Sequence, residues 1–419
     1  MNLFSLALKS IKNRRFSFTL TVVSIGLSVL LLLSVERLRH EARESFANTV
    51  SGTDLIVGAR SGQVQLLLYS IFRIGNATNN ISWESYADIR QHPDVAWTIP
   101  LSLGDSHRGF RVLGTNRDYF QYYRFGRKQR LSFAQGNVFE GVYDAVLGAD
   151  VARELGYSLG QSVTLSHGTG DVSLMEHGNS PFRIVGILEK TGTPVDRAVH
   201  VRLEGIEAIH IGWEGGRPTA LARIRQSALD VSALQPKSLT AVMLGLNSPM
   251  AVFRVQRFVN DYSQEPLLAA LPGVALQELW DTMALAQQAL MAVSLMVVLV
   301  GVTGMATAML TSLNERRREM AVLRSVGARP LHIFALVQGE AIIVMLCSLL
   351  LGVVGMLALQ GIVAPILQQE WGLYLPIRWL SASEWLLLGL AFGCGLLVGL
   401  IPAYRAYRYS LADGMTVRL

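Results

Sequence analysis

Gly156-Tyr157-Ser158-Leu159-Gly160 has the G-x-S-x-G spacing of a nucleophile elbow. In an elbow a strand leads into the serine and a helix follows, so that the hydroxyl stands out from a strained turn. Here the order is reversed: Asp150–Leu155 has a helical pattern and Gln161–Leu165 a strand-like one. The glycines therefore mark a helix-to-strand turn, and no catalytic serine is expected. Metal chemistry has equally thin support. H-E-x-x-H and C-x-x-C are absent, and the two cysteines, Cys347 and Cys394, fall inside long apolar runs, so neither a zinc site nor a disulfide framework is expected. Seven of the eight histidines, His40, His92, His107, His167, His177, His200 and His210, lie between residues 36 and 283. With no recurring ligand spacing they read as scattered loop and core residues, a metal site assembled from distant positions being the alternative. No G-x-x-x-x-G-K-[ST] loop occurs, so nothing here cradles nucleotide phosphates by that route. Arg124, Arg127, Lys128 and Arg130, just after Tyr119, Phe120, Tyr122 and Tyr123, read as a solvated basic loop, with an anionic lipid or partner as the alternative.

The strongest pattern is one for recognising a partner: Glu315-Arg316-Arg317-Arg318-Glu319-Met320-Ala321-Val322-Leu323-Arg324-Ser325-Val326-Gly327-Ala328-Arg329-Pro330. Met320, Leu323 and Val326 are assigned to one helical face, flanked by Glu315, Arg316, Glu319 and Arg324. Gly327 suits the left-handed position that ends a helix, and Pro330 the first turn of the next. A basic amphipathic helix could simply rest on lipid headgroups. Acidic residues at both edges of the basic run fit docking into a protein better.

The elements that would position this helix follow from hydropathy. The chain is 51% hydrophobic and 16% charged, too little charge to cover a soluble protein of this size. Uncharged runs span Phe16–Val35 (20 residues), Thr282–Asn314 (33), Ala341–Gln369 (29) and Trp385–Tyr404 (20). About 20 apolar residues cross a ~30 Å hydrocarbon core as a helix, so four spans are expected. Residues 36–283 carry 24 Lys/Arg and 25 Asp/Glu. The segments before the first run, between the second and third, and after the fourth carry 12 basic residues against Glu315, Glu319, Glu340 and Asp413. This asymmetry is the positive-inside pattern. It places both termini and the 315–340 loop in the cytoplasm and 36–283 outside, and it argues against nucleic-acid binding despite a net charge of +6. The first run is longer than a signal-peptide core and lacks a small-x-small site after it, so it reads as an uncleaved anchor.

Glu36–Phe46 continues the first span as a helical stalk, and Gln277 onward leads helically into the second. Between them Leu55–Val57 and residues 95–101, 109–114, 162–166, 182–188, 197–202 and 219–225 are strand-like. Helices are expected at 64–72, from a Ser82 cap to about Gln91, and at 149–155, 203–210 and 248–262. That is an α+β domain whose sheet order is not legible. Gly389-x-x-x-Gly393 and Gly395-x-x-x-Gly399 in the fourth span, and Gly304-x-x-x-Ala308 in the second, allow close helix packing; whether within one chain or between two copies is open at this level. With no internal repeat, a four-span chain of this kind is expected to pair with a second copy.

Glu315–Arg329 resembles the coupling-helix signature of the FtsX/MacB-like ABC transporter permeases. Ile401-Pro402-Ala403-Tyr404-Arg405-Ala406-Tyr407-Arg408 resembles their C-terminal signature, in which Pro402, Arg405 and Arg408 are the matching positions. Residues 145–165 and 182–203 are more loosely similar to a MacB-like periplasmic core, and Ser410 departs from the proline usual in the tail. The resemblance implies a membrane protein of four transmembrane α-helices, with a large α+β extracytoplasmic domain inserted between helices 1 and 2. The expected segments are a cytoplasmic start (1–15), span 1 (16–37), the outer domain with its stalks (38–282), span 2 (283–312), a coupling-helix loop (313–334), span 3 (335–367), span 4 (384–405) and a cytoplasmic tail (406–419). It also implies a non-catalytic subunit in a bacterial inner membrane. A homodimer would engage two copies of an ABC ATPase, which bind ATP and Mg²⁺, and the work done would be export or an envelope process. Glu315, Arg316, Arg317, Glu319, Met320, Leu323, Arg324 and Gly327 would couple to the ATPase, and a periplasmic partner is implied as a possibility. No charge lies within the four runs, whereas a path for ions through the spans would call for one. The alternatives are a membrane-anchored binding or signalling module regulating an envelope partner, and metal-related ABC transport.

Overall fold

The computed structural model describes residues 15–126, 128–167, 181–210, 213–214, 217–218, 234–315, 317–371 and 378–408. The strand expected at 219–225, Arg127, Arg316 and the end segments 1–14 and 409–419 lie outside them. The chain divides into two compact units, one of residues 1–42, 283–366 and 375–419, the other of 43–282 with 367–374.

The 43–282 unit is built on one mixed sheet. Its main strands are β1 (Leu55–Ala59), β2 (Val95–His107), β3 (Phe110–Thr115), β4 (Phe133–Gly136), β5 (Asp144–Leu147), β6 (Phe182–Leu188), β7 (Ala198–Arg202), β8 (Ala241–Leu246) and β9 (Leu267–Ala270). They lie in the order β9-β1-β8-β2-β3-β7-β5-β6-β4, with the short strands Ser162–Val163 and Ser166–His167 paired off this path. Only β5/β6 and β3/β7 pair in parallel along this path. Neighbouring side chains alternate between faces, as the pleat requires. Ile56, Ile99, Leu101, Leu113, Val146 and Met243 thus share one core with Phe72, Tyr119, Phe120 and Phe139. Leu55, Val57, Val242 and Leu244 turn the other way, to a core shared with Tyr86, Ile89, Val255 and Val259.

The helices covering the sheet are α2 (Gln63–Ser70), α3 (Trp83–Arg90), α4 (Ala149–Leu155), α5 (Leu203–His210) and α6 (Val252–Asn260). The Ser82 hydroxyl accepts from the Ser85 N–H at 3.2 Å and starts α3 as expected. Two longer helices flank the unit in sequence, α1 (Arg15–Thr49) and α7 (Pro272–Glu315). Within the unit their segments are joined by aromatic packing: Phe46 lies 4.3 Å from Phe72 and 5.5 Å from Trp280 between ring centroids. Arg43 sits over the Trp280 ring.

The other unit is a helical bundle. It contains the remainder of α1 and α7, a short helix α8 (Arg317–Ser325), α9 (Pro330–Trp371) up to residue 366, and α10 (Ala382–Arg408). Stretches of α1, α7, α9 and α10 are long and apolar enough to cross a membrane. All four contribute to one apolar cluster: Ile25, Val29 and Leu33 from α1, Val298 and Val302 from α7, Val344 and Met345 from α9, and Leu388 and Ala391 from α10. Much of the remaining surface is bare aliphatic side chain, including Leu20, Val300, Leu350, Ile362 and Leu397. Such a surface suits a hydrocarbon solvent and would aggregate in water.

Candidate functional site

α8 is nine residues long, too short to persist alone in water. It is held by one side. Met320, 3% exposed, is buried among Leu313 of α7, Ile333 and Val337 of α9, and Ala403 and Ala406 of α10. The opposite side is open, with Val322 60% and Val326 81% exposed and Arg318, Glu319 and Ser325 exposed around them. Leu323 and Arg324 are half-buried between these two faces.

This corrects the face expected from periodicity. Residues 320 and 326 are six apart, which at about 100° per residue puts them ~120° out of phase. Val326 also lies beyond the last helical residue, Ser325. Met320 is therefore buried against the chain's own helices, and the exposed apolar pair is Val322 with Val326. Of the other coupling residues read from sequence, the structure places Glu319 on the open face and Arg324 beside it. Arg316 and the side chains of Glu315 and Arg317 lie outside the described residues.

The helix ends as its sequence dictates. Gly327 has φ +100°, a conformation that side-chain-bearing residues avoid. Its N–H bonds the Arg324 carbonyl at 3.0 Å and the Ala328 N–H bonds Leu323 at 3.0 Å, the paired bonds of a Schellman motif. No atom lies within 4 Å of where a Cβ would stand at Gly327, so backbone conformation and not space demands the glycine. α9 follows at once. Pro330 is its first residue, and the His332 Nδ1 accepts from the Arg329 N–H at 3.0 Å, tying the connection to the new helix. Four residues, 326–329, separate the two helices.

The C-terminal motif forms part of the bed beneath α8. Pro402, Ala403 and Ala406 are buried, while Tyr404, Arg405, Tyr407 and Arg408 point outward. Arg405 and Arg408 occupy the last turn of α10, where cations favour the helix dipole. Sequence reasoning did not single out Leu313, Ile333, Val337, Ala403 and Ala406 as parts of the site. The available signal was the small pair Ala403/Ala406, three apart and facing the same way.

The glycine pairs separate. A Cβ at Gly399 would stand 2.9 Å from that of Ala341, and one at Gly395 would collide with Met345; both glycines pack α10 on α9 within one chain. Gly389, Gly393 and Gly304 have nothing within 4 Å. A second close contact escaped the sequence: a Cβ at Gly26 would stand 2.7 Å from Leu351 Cδ2, and one at Gly352 would stand 2.6 Å from Val29 Cγ1. α1 and α9 are thus in contact through these two glycines.

The remaining motifs find ordinary roles. Gly156 is left-handed (φ +67°) at the end of α4, and the Ser158 N–H donates to Gln161 Oε1 at 2.8 Å, ahead of the strand Ser162–Val163. The serine follows a helix, as its context requires. His107 bonds the Thr164 carbonyl and the Tyr157 hydroxyl. His200 is fully buried, with Nδ1 3.2 Å from the Val146 carbonyl. Burial, then the Arg73 charge, push its pKa down to about 3. Among the described residues no three His, Cys, Asp or Glu side chains group as a metal site would. Arg124 and Arg130 face each other across a two-residue hairpin pairing, whose Gly126 N–H donates to the Asn48 carbonyl.

Residues 18–244 match the family model of the MacB-like periplasmic core domain and residues 291–411 that of the FtsX-like permease C-terminal domain. The chain is 23% identical over 98% of its length to the macrolide export ATP-binding/permease protein MacB of Shewanella sp. (strain W3-18-1). It is 25% identical over 77% of its length to the protein so named in Salmonella typhi. It spans 60% and 46% of the lengths of those relatives. A crystal structure of the periplasmic region of MacB from Actinobacillus actinomycetemcomitans covers 56% of this chain and 94% of its own, at 11% identity and a TM-score of 0.34. The chain belongs to the FtsX/MacB-like family of ABC transporter permeases, with a MacB-like periplasmic core domain inserted after its first membrane helix.

Proposed function

We propose that this chain is a transmembrane subunit that turns ATP hydrolysis by another polypeptide into movement of its periplasmic domain. The carrying observation is the division of α8, with Met320 fixed among three of the chain's own helices while Val322 and Val326 stand exposed. A helix so divided can accept a push on one face and pass it on through the other. This reading assigns ATP and Mg²⁺ to that ATPase, in keeping with the lack of a G-x-x-x-x-G-K-[ST] loop within these 419 residues. The positive-inside charge pattern supports a reading in which α8 and both termini face the cytoplasm, the membrane being a bacterial inner membrane. α1 and α7 are each a single helix, suited to carry motion outward. Two copies of the chain with two ATPase subunits make the working assembly, and the outer domain serves export or an envelope process, engaging a periplasmic partner where one is used. The bare aliphatic surface of the spans contacts membrane lipid, and nucleic acid has no part in this reading.

The test is co-purification of the full chain with candidate ABC ATPases from the same genome, followed by hydrolysis assays. Complex formation with stimulated hydrolysis is expected, and both should be lost in Glu319→Lys and Val326→Asp, with thermal stability unchanged. Stimulation that survives both substitutions would remove α8 as the docking element.

A further inference from the structure

Glu384 opens the first turn of α10, about 33 Å along the helix from Ala406 in the bed of α8. There the bundle carries a buried ionic cluster. Arg37 Nε lies 2.6 Å from Glu384 Oε1, with the two side chains 5% and 2% exposed. Arg37 Nη1 donates to the Arg378 carbonyl at 3.1 Å, and Arg378 Nε lies 2.7 Å from the buried Glu41. Glu36, also buried, takes two hydrogen bonds from Arg39. The second oxygen of Glu384 accepts the Ser381 N–H at 2.6 Å, and the Ser381 hydroxyl accepts the Glu384 N–H at 3.3 Å. One carboxylate thus caps α10 and holds Arg37 of α1.

Apolar side chains would hold two helices together at least as well, because a buried ion pair repays little more than the desolvation of its members. What such a pair adds is a single permitted geometry: Arg37 meets Glu384 through Nε and the Arg378 carbonyl through Nη1, and a slipped register leaves charges buried and unmatched. α10 is therefore engaged at both ends, by Met320 of α8 through Ala403 and Ala406 and by Arg37 of α1 through Glu384.

We propose that the Arg37–Glu384 pair, supported by Glu41–Arg378, is the joint through which α10 drives α1, so that a displacement of α8 reaches the helix leading to the outer domain. This rests on the reading of α8 as the ATPase-docking element. Arg37 and Glu384 are positioning residues in that path.

The experiment uses the full chain with its ATPase in lipid nanodiscs. Cys347 and Cys394 are replaced by serine, and a spin label is placed at Ala47→Cys, an exposed position on α1 beyond the joint. Glu384→Gln keeps the capping acceptor but strands the Arg37 charge, and should lower thermal stability and abolish the ATP-dependent change in label mobility. Arg37→Met combined with Glu384→Gln leaves no stranded charge. It should restore stability, with hydrolysis as in the unmutated complex, while the label change stays lost; a merely structural pair would recover the label change together with stability. A double variant that keeps the label change would overturn the joint and leave the α8 reading standing. Failure of the unmutated chain to form a complex or stimulate hydrolysis would overturn both.

Discussion

Truncating Met320 should unmoor α8, whereas truncating Val326 should not. Met320 is 3% exposed in a bed whose α10 side is Ala403 and Ala406, side chains too short to swing into a gap. Met→Ala substitutions in cores cost about 2–5 kcal/mol, and a bed that cannot collapse points to the upper half of that range. A nine-residue helix has no reserve of its own with which to absorb such a loss. A cost of ~3 kcal/mol would lower the ratio of docked to undocked helix by about two orders of magnitude. Val326 is 81% exposed, so Val326→Ala should stay within ~0.5 kcal/mol. Hydrogen exchange over residues 317–325, measured in detergent on the chain alone, reads the docking directly. Met320→Ala should speed exchange strongly and Val326→Ala should leave it unchanged. With the ATPase present both should impair stimulation, the first by losing the helix and the second by losing contact area. Unchanged exchange in Met320→Ala, or equal acceleration in both, would refute the assignment of faces.

Gly327→Ala should destabilise the end of α8 by about 1–2 kcal/mol, since φ is +100° there while the site has room for the methyl group; faster exchange confined to residues 323–330 is the readout. Gly395→Leu should lower the melting temperature, overpacking typically costing 1–3 kcal/mol, because even a Cβ there would meet Met345. Gly389→Leu, with open space around it, should melt like the unmutated chain. His200 binds its proton in the folded state only near pH 3, far below the ordinary histidine value of 6.5, so the unfolded chain binds more protons in between. Its contribution to stability is whole above pH 6.5 and is lost progressively as the pH falls from there towards 3. Melting temperatures at pH 7.5 and 5.5 should differ less in His200→Leu than in the unmutated protein.

Features encoded over a few neighbouring residues were legible in the sequence. The Gly327 stop, the Pro330 start and the Ser82 cap depend only on local backbone conformation and nearby polar atoms. Strand 182–188 and helices 149–155 and 203–210 appear as expected, the first helix set off by Gly148 and Gly156 and the strand preceded by Pro181. The four apolar runs are legible for a related reason: the solvent they demand does not depend on how they pack. Strands Asp144–Leu147, Ala241–Leu246 and Leu267–Ala270 went unread; they are short and almost wholly buried, so no alternation between faces marks them. Sheet order was beyond local reading, since it rests on pairs such as Ile56 with Met243, distant in the chain. The same limit applied at the site. Sequence by itself determined that a short charged helix lies between two apolar helices and where it stops. Only the tertiary structure decided which face is anchored, which glycines touch a neighbour, and that Arg37 meets Glu384. Each of those outcomes is set by what another helix places opposite, and periodicity within one helix carries no record of that.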